Sequence, residues 1–279
     1  MKFIKNLSFD IQHGIFRSKT LFICPIVLAL LSFINCTNKA RVVASLEIMK
    51  ANKVSLGDCW VFLYGGMKEA SGNPFAFPIT WLMVFTTIPF ILLNYPMKDM
   101  QGIGQQFLLR LKGRSLWWLS KCCWNVLATM LYHLVLILTL IALCLLFRMP
   151  IDGHVNMDFL TEALHLDKEA VIDIPTAIPL FVFFLPPLIS IGINLVQMTL
   201  SLFLNPIFSF FAILSFLMAS IYLPAPYMIG NYAMPMRYDW IIQNGLPYQP
   251  GFTIVAMLLI ASVAIGFARF HFYDIINKD

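Results

Sequence analysis

The residues MKDMQGIGQQFLLRLKGRSLWWLSKCC, Met97 to Cys123, form a polar, basic island between two long apolar runs, and the rest of the chain is placed from it. Lys98, Arg110, Lys112, Arg114 and Lys121 stand there against one acid, Asp99. An excess of Lys and Arg in a short loop marks the cytoplasmic side of a membrane protein, so the island is expected to face the cytoplasm. Met100, Ile103, Phe107, Leu108 and Leu111 recur at helical spacing, with Gln101, Gln105, Arg110 and Lys112 off that stripe. This spacing predicts an amphipathic helix lying along the membrane and ended by Gly113. Arg114 to Lys121 then returns to the bilayer, with Trp117 and Trp118 expected at headgroup depth, where an amphipathic ring is stable.

On either side of the island the chain is too apolar to be an ordinary soluble domain. Of 279 residues, 59% are hydrophobic and 12% charged, and the apolar residues come in uncharged runs instead of alternating with polar ones. Several runs approach the roughly 20 residues a helix needs to cross a bilayer. The expected fold class is therefore all-α: a polytopic integral membrane protein, one domain over 1–279, with six transmembrane helices near 20–36, 76–95, 122–147, 174–196, 206–223 and 252–268. Residues 1–19 place Ile4, Leu7, Ile11 and Ile15 at helical spacing, with Lys2, Lys5, Asp10, Gln12 and His13 off the stripe, which predicts an amphipathic interfacial helix. A signal peptide is disfavoured, because about 20 residues precede the apolar core Leu21 to Ile34 and no small-x-small cleavage site follows it.

The charge distribution sets the expected orientation. Segments 1–19, 97–123 and 268–279 carry 11 basic and 4 acidic residues, net +7, and the remainder carries 8 basic and 10 acidic, net −2. That asymmetry places both termini in the cytoplasm of a multi-pass protein of the cell membrane and gives no reason to expect nucleic acid as a partner. Three segments are then outside: 37–75, mixed in charge and with a helix expected over 42–51; the acidic 148–173, with a surface helix over 157–166; and 224–251. The last is rich in Pro and aromatic residues. It reads either as short re-entrant helices dipping into the outer leaflet before the last span or as an anchoring aromatic belt.

Candidate functional residues are few. His133 lies near the middle of the third span, where an ionisable group is costly. It reads as a substrate contact or proton relay, or, favoured two to one since no intramembrane acid accompanies it, as a neutral His bonded to a neighbouring helix. Pro186 and Pro187 remove two backbone donors from the fourth span and predict a broken helix; with Asn194 they complete the transport-pathway candidates. Tyr227, Tyr232, Tyr238 and Trp240 are the outer-gate candidates. Six cysteines are scattered, and Cys36 and Cys59 alone share an outer compartment, where a disulfide is possible and two free thiols are favoured. No Cys-x-x-Cys, His-rich tract, phosphate loop, His-Glu-x-x-His or Gly-x-Ser-x-Gly is present, so neither a metal nor an enzymatic activity is expected in this chain.

The order of these features carries a family resemblance. A basic amphipathic N-terminal helix, a long first outer loop and a Pro- and aromatic-rich outer segment before span six surround a cytoplasmic segment that carries Arg110, Gly113, Arg114 and the run Trp117, Trp118, Leu119, Ser120, Lys121. This arrangement resembles the permease subunits of type-two (type V fold) ABC exporters. The resemblance implies a dimer with a second permease copy, homologous or different. It also implies separate ABC ATPase subunits that hold ATP and Mg, with no cofactor in this chain. The coupling segment, 97–121, would rest on the ATPase through Arg110, Lys112, Gly113 and Arg114, with Trp117 and Trp118 as fulcrum. The expected function is outward movement of an amphiphilic peptide, lipid or drug. The outer loops are longer than in compact members. The three bases also fit lipid-headgroup binding alone, and the competing reading of the whole chain is a membrane sensor or an immunity or anchoring subunit.

Overall fold

The computed structural model describes residues 2–45, 54–67, 77–101, 114–163 and 178–271. Among the described residues the protein is all-helical, with no strand. Helices α1 (Lys2–Asp10), α2 (Lys19–Ser45), α3 (Leu56–Tyr64), α4 (Ile79–Leu92) and α5 (Tyr95–Gln101) form the first half. Helices α6 (Arg114–Leu146), α7 (Met157–Ala163), α8 (Leu180–Leu200), α9 (Pro206–Tyr222) and α10 (Gln249–His271) form the second. Among the described residues, five stretches are long and apolar enough to cross a membrane: Lys19–Ser45, Ile79–Met100, Ser115–Leu146, Leu180–Leu200 and Gln249–Arg269. Their outward surfaces carry large apolar side chains such as Ile23, Leu134, Leu138, Ile260 and Ile265. Water would not tolerate such surfaces on five helices at once, so this is a membrane-embedded protein. Helix α9 is equally apolar at 17 residues, about 26 Å of rise.

Helix α6 is the axis. It packs against α1, α2, α8 and α10, and α10 lies along α8. Close approach is possible where glycine faces a bulky neighbour. A side chain at Gly266 of α10 would collide with the Trp118 indole, and one at Gly251 would meet Leu185 Cδ2 at 2.9 Å.

Several elements differ from the sequence reading. Helix α2 runs unbroken past residue 36 to Ser45, because no Gly or Pro interrupts it there and Lys39 is held by Ala163, its Nζ donating to that carbonyl at 2.6 Å. Segment 37–75 is not wholly an outer loop. Its apolar run LGDCWVFLY is α3, whose Cys59, Trp60, Val61, Leu63 and Tyr64 are all buried in the bundle. The fourth span is not broken: α8 continues through Pro186 and Pro187, because proline's fixed φ is helical and the bonds on both sides persist. It also begins later than 174 and continues past 196 to Leu200. The third span starts at Arg114, so the last part of the island is the first two turns of α6. The predicted helix over 98–112 is described only as far as Gln101, at the end of α5, and the one over 42–51 only as far as Ser45, within α2.

Candidate functional site

At one end of the bundle, α1, α5 and α6 meet around a buried cation. Asn6 and Asp10 of α1 are buried; of the predicted stripe, Leu7, Ile11 and Ile15 pack against the core and Ile4 is 68% exposed. The sequence reading placed Asp10 off the stripe, among the residues left for solvent. The cause of the difference is Lys121. Its ammonium makes an ion pair with Asp10 Oδ1 and a second, at 2.6 Å, with Asp99 Oδ2 at the end of α5. Ser120 Oγ donates to Asp10 Oδ2 at 2.6 Å and the Tyr95 hydroxyl donates to Asp10 Oδ1 at 3.1 Å. Trp117 Nε1 donates to Asp99 Oδ2 at 3.2 Å. The Lys121 ammonium also lies 4.9 Å from the Tyr95 ring centre and 5.0 Å from that of Trp117. A fully buried lysine needs this number of partners, since desolvation of its charge must be offset by close, hydrogen-bonded anions.

The cluster is locked by shape as well as charge. Tyr95 stacks on Trp124 with ring centres 4.3 Å apart. Gly14, in the π-helical turn Ile11–Phe16 that follows α1, sits where any side chain would strike both rings. Trp117 and Trp118 are buried in the protein, not set out toward headgroups. Trp117 joins the cluster, and Trp118 Nε1 donates to the Val263 carbonyl at 3.3 Å, tying α6 to α10. The site therefore joins three parts of the sequence reading, the N-terminal helix, the island and the third span, the first of them far from the other two in the chain. Of the expected island contacts, Arg110, Lys112 and Gly113 lie outside the described residues; Arg114 opens α6. Asp10, Tyr95 and Ser120 were missed. The available signal was that Asp10 and Asp99 are single acids in otherwise basic segments.

The other candidates fall in separate places. His133 faces Tyr64 of α3, with its Nδ1 2.7 Å from the Tyr64 hydroxyl, and the Tyr64, Phe85 and Tyr132 rings surround it. Asn194 Nδ2 donates to Thr129 Oγ1 at 3.1 Å across the α6–α8 contact. Tyr232 and Tyr238 belong to the segment between α9 and α10. Both are buried and fasten the outer segment to itself, the Tyr232 hydroxyl donating to the Pro226 carbonyl at 3.0 Å and that of Tyr238 to the Tyr232 carbonyl. Tyr227 is 73% exposed and Trp240 is half-buried. Between α9 and α10 the chain forms two short 3-10 turns, Ile229–Ala233 and Pro235–Arg237. The unanticipated organiser of this segment is Arg237. It donates to the carbonyls of Ser220 at 2.6 Å, Ile221 at 2.7 Å and Met67 at 3.0 Å, and to the Asn231 side chain. It thereby satisfies carbonyls left free at the end of α9.

The segments expected to lie outside also interlock. Ser55 caps α3, and Asp58 completes a capping box, accepting from the Ser55 N–H at 2.9 Å while also accepting from the Asn156 N–H at 2.7 Å. Burial pushes the Asp58 carboxyl up to about 6 against the pull of those backbone donors, with Asp152 adding to the rise. Among the described residues no group of His, Cys, Asp and Glu is placed to hold a metal ion.

Fold and site together define a membrane-embedded helical protein whose N-terminal helix is fixed to its central span by a buried ion cluster. The chain belongs to the family described as Protein of unknown function (DUF2705), whose model matches residues 18–276. No curated protein and no solved structure matches it.

Proposed function

We propose that this chain is the permease subunit of an ABC-type exporter, moving an amphiphilic peptide, lipid or drug outward on ATP hydrolysed by partner ATPase subunits. On this reading α9 is also a span, the fifth of six, both termini are cytoplasmic, and a second permease copy completes the translocation unit in the cell membrane. The observation that carries the reading is the Lys121 cluster. A permease driven from outside itself needs a rigid joint between the segment the ATPase pushes and the helices that move. Lys121 binds the N-terminal helix through Asp10 and the coupling segment through Asp99, and it belongs to the helix against which α2, α8 and α10 pack. A displacement of segment 97–121 would be delivered to α6 directly.

A second reading, a sensor or immunity subunit that binds a ligand outside, draws on a cavity of about 370 Å³ at the far end of α2. Asn38, Lys39, Phe62, Thr80 and Trp81 are among the residues that line it. The two readings separate on one experiment. The tagged chain is purified from its native membrane in mild detergent, and its partners are identified by mass spectrometry. The exporter reading expects a stoichiometric ATP-hydrolysing subunit, with recovery reduced by Arg110→Lys with Arg114→Lys, since a planar guanidinium fork is not copied by an ammonium. Purification of the chain without any such subunit overturns it.

A further inference from the structure

The contact between α6 and α8 contains more polar groups than it satisfies. Asn125, Thr129 and His133 follow one another at four-residue spacing on α6, and Ser190, Asn194 and Met198 do the same on α8. Two contacts fix how these rows face each other. Asn125 Nδ2 meets Met198 Sδ at 3.8 Å, and Asn194 Nδ2 donates to Thr129 Oγ1 at 3.1 Å. The helices are thus antiparallel here, and continuing the register one turn sets Ser190 at the level of His133. All six side chains are buried. Yet Asn125 Oδ1, Asn194 Oδ1, Ser190 Oγ and His133 Nε2 find no hydrogen-bond partner. One further turn along, Pro186 and Pro187 deprive the carbonyls of Val182 and Phe183 of their helical donors.

Stranded polar atoms in a bilayer-spanning interior are unfavourable singly and improbable in a row, and the usual resolution is bound water. We infer that the α6–α8 contact is a hydrated seam, a binding site for neutral hydrogen-bonding molecules that is filled by a file of water. Two amide oxygens, a hydroxyl and an imidazole nitrogen supply both acceptors and donors, as a water making two to four bonds requires. The occupant is uncharged because no ionised side chain lies in either row between Asn125 and His133 or between Ser190 and Met198. His133 is then held neutral between Tyr64 on one ring nitrogen and water on the other. The seam also gives α6 and α8 a contact that can part without exposing bare polar groups, a consequence that rests on the exporter reading.

Hydroxyl-radical footprinting tests this directly. X-ray pulses on the purified chain in water enriched in oxygen-18 create radicals in place, and a side chain beside bound water takes up the label even when bulk solvent cannot reach it. Met198, 5% exposed, is compared with two methionines outside the seam, Met100 at 6% and the fully buried Met234. A wet seam predicts Met198 labelling about tenfold faster than either, with label on His133 as well. Labelling of Met198 and His133 no faster than the controls overturns the proposal. In the Asn125→Leu, Asn194→Leu variant, Met198 labelling is expected to fall about fivefold, and an unchanged rate in a monodisperse sample also overturns it. If that variant does not fold, the parent measurement decides alone. The footprint needs no ATPase, so a dry seam leaves the exporter reading standing, and absence of an ATPase partner leaves the seam standing.

Discussion

Lys121 Nζ lies 2.6 Å from Asp99 Oδ2 while also holding Asp10, so one cation on α6 joins two carboxylates from two different helices. Such an arrangement is stable only as a set. The ammonium offsets two buried anions, the Ser120 and Tyr95 hydroxyls and the Trp117 indole complete their hydrogen bonds, and no member tolerates the loss of the cation.

Lys121→Met is therefore expected to cost about 3–5 kcal/mol, since it leaves Asp10 and Asp99 buried without a counter-charge. The apolar triple variant Asp10→Leu, Asp99→Leu, Lys121→Met should recover stability to the parent level or above, because it removes all the desolvated charges together. Thermal unfolding of the detergent-solubilised protein, followed by tryptophan fluorescence, reads both. A Lys121→Met protein that melts with the parent shows that the cluster is not a buried ion set. If the chain is the exporter permease proposed above, the triple variant should combine full stability with loss of ATPase-coupled transport, the signature of a mechanical joint.

Arg237→Lys should loosen the outer segment. The guanidinium reaches the Met67 carbonyl from Nε, the Ile221 carbonyl from Nη2, and the Ser220 carbonyl and the Asn231 side chain from Nη1, whereas an ammonium is a single point that cannot span them. Leaving one or two of these buried acceptors unmet costs about 1–3 kcal/mol each. Limited proteolysis from the outer face, resolved by mass spectrometry, should show new cuts within 224–250 in the variant and none in the parent. Identical protease maps would show that Arg237 is not what holds the segment.

How far the sequence leads can be seen at α9 and at α3. An apolar run bounded by Asn205-Pro206 and Leu223-Pro224 gave α9 almost to the residue, because a span is signalled by length and hydropathy together with helix-stopping neighbours. Helix α3 was hidden in a loop, because its nine residues, Asp58 among them, rise only about 14 Å and fit no rule for a span. The Lys121 site was half legible. Its basic residues marked the cytoplasmic island, but reading charges as solvent-facing hides an aspartate whose partner is 111 positions away. Gly14 and Gly266 carried no signal at all, since what requires them is the indole facing each one in space.

Stability should fall with rising pH through a window set by Asp58. Its folded-state value, about 6, stands above the ordinary 3.8, so the native protein binds more protons than the unfolded chain between those values. The contribution is complete below about 4 and is lost as pH rises through about 6, by at most about 3 kcal/mol. Melting curves at several pH values across this range, compared with those of Asp58→Asn, isolate the effect. The parent should lose stability relative to the variant as pH rises. Parallel curves would show that the Ser55 and Asn156 donors, not burial, decide the carboxyl's protonation.

The last expectation concerns the thiols at the outer end of the bundle. Cys36 Sγ and Cys59 Sγ are 3.8 Å apart and unbonded, which is the free-thiol alternative of the two left open by the sequence. A hydrogen bond from Cys144 pulls the Cys59 thiol down, but its hydrogen bond with Cys36 and its burial push harder, so it stands well above its ordinary value. Since the thiolate is the reacting form, oxidation should be slow despite the proximity. With copper-phenanthroline and dioxygen as oxidant, two thiols give one disulfide and the electrons pass to oxygen. Peptide mapping should find Cys36 and Cys59 linked to each other, within one chain, only after hours, and faster in Cys144→Ala if the third thiol mainly keeps Cys59 occupied. Rapid and complete linkage at neutral pH would show that the pair is accessible and ionised, contrary to a buried thiol cluster shared by α2, α3 and α6.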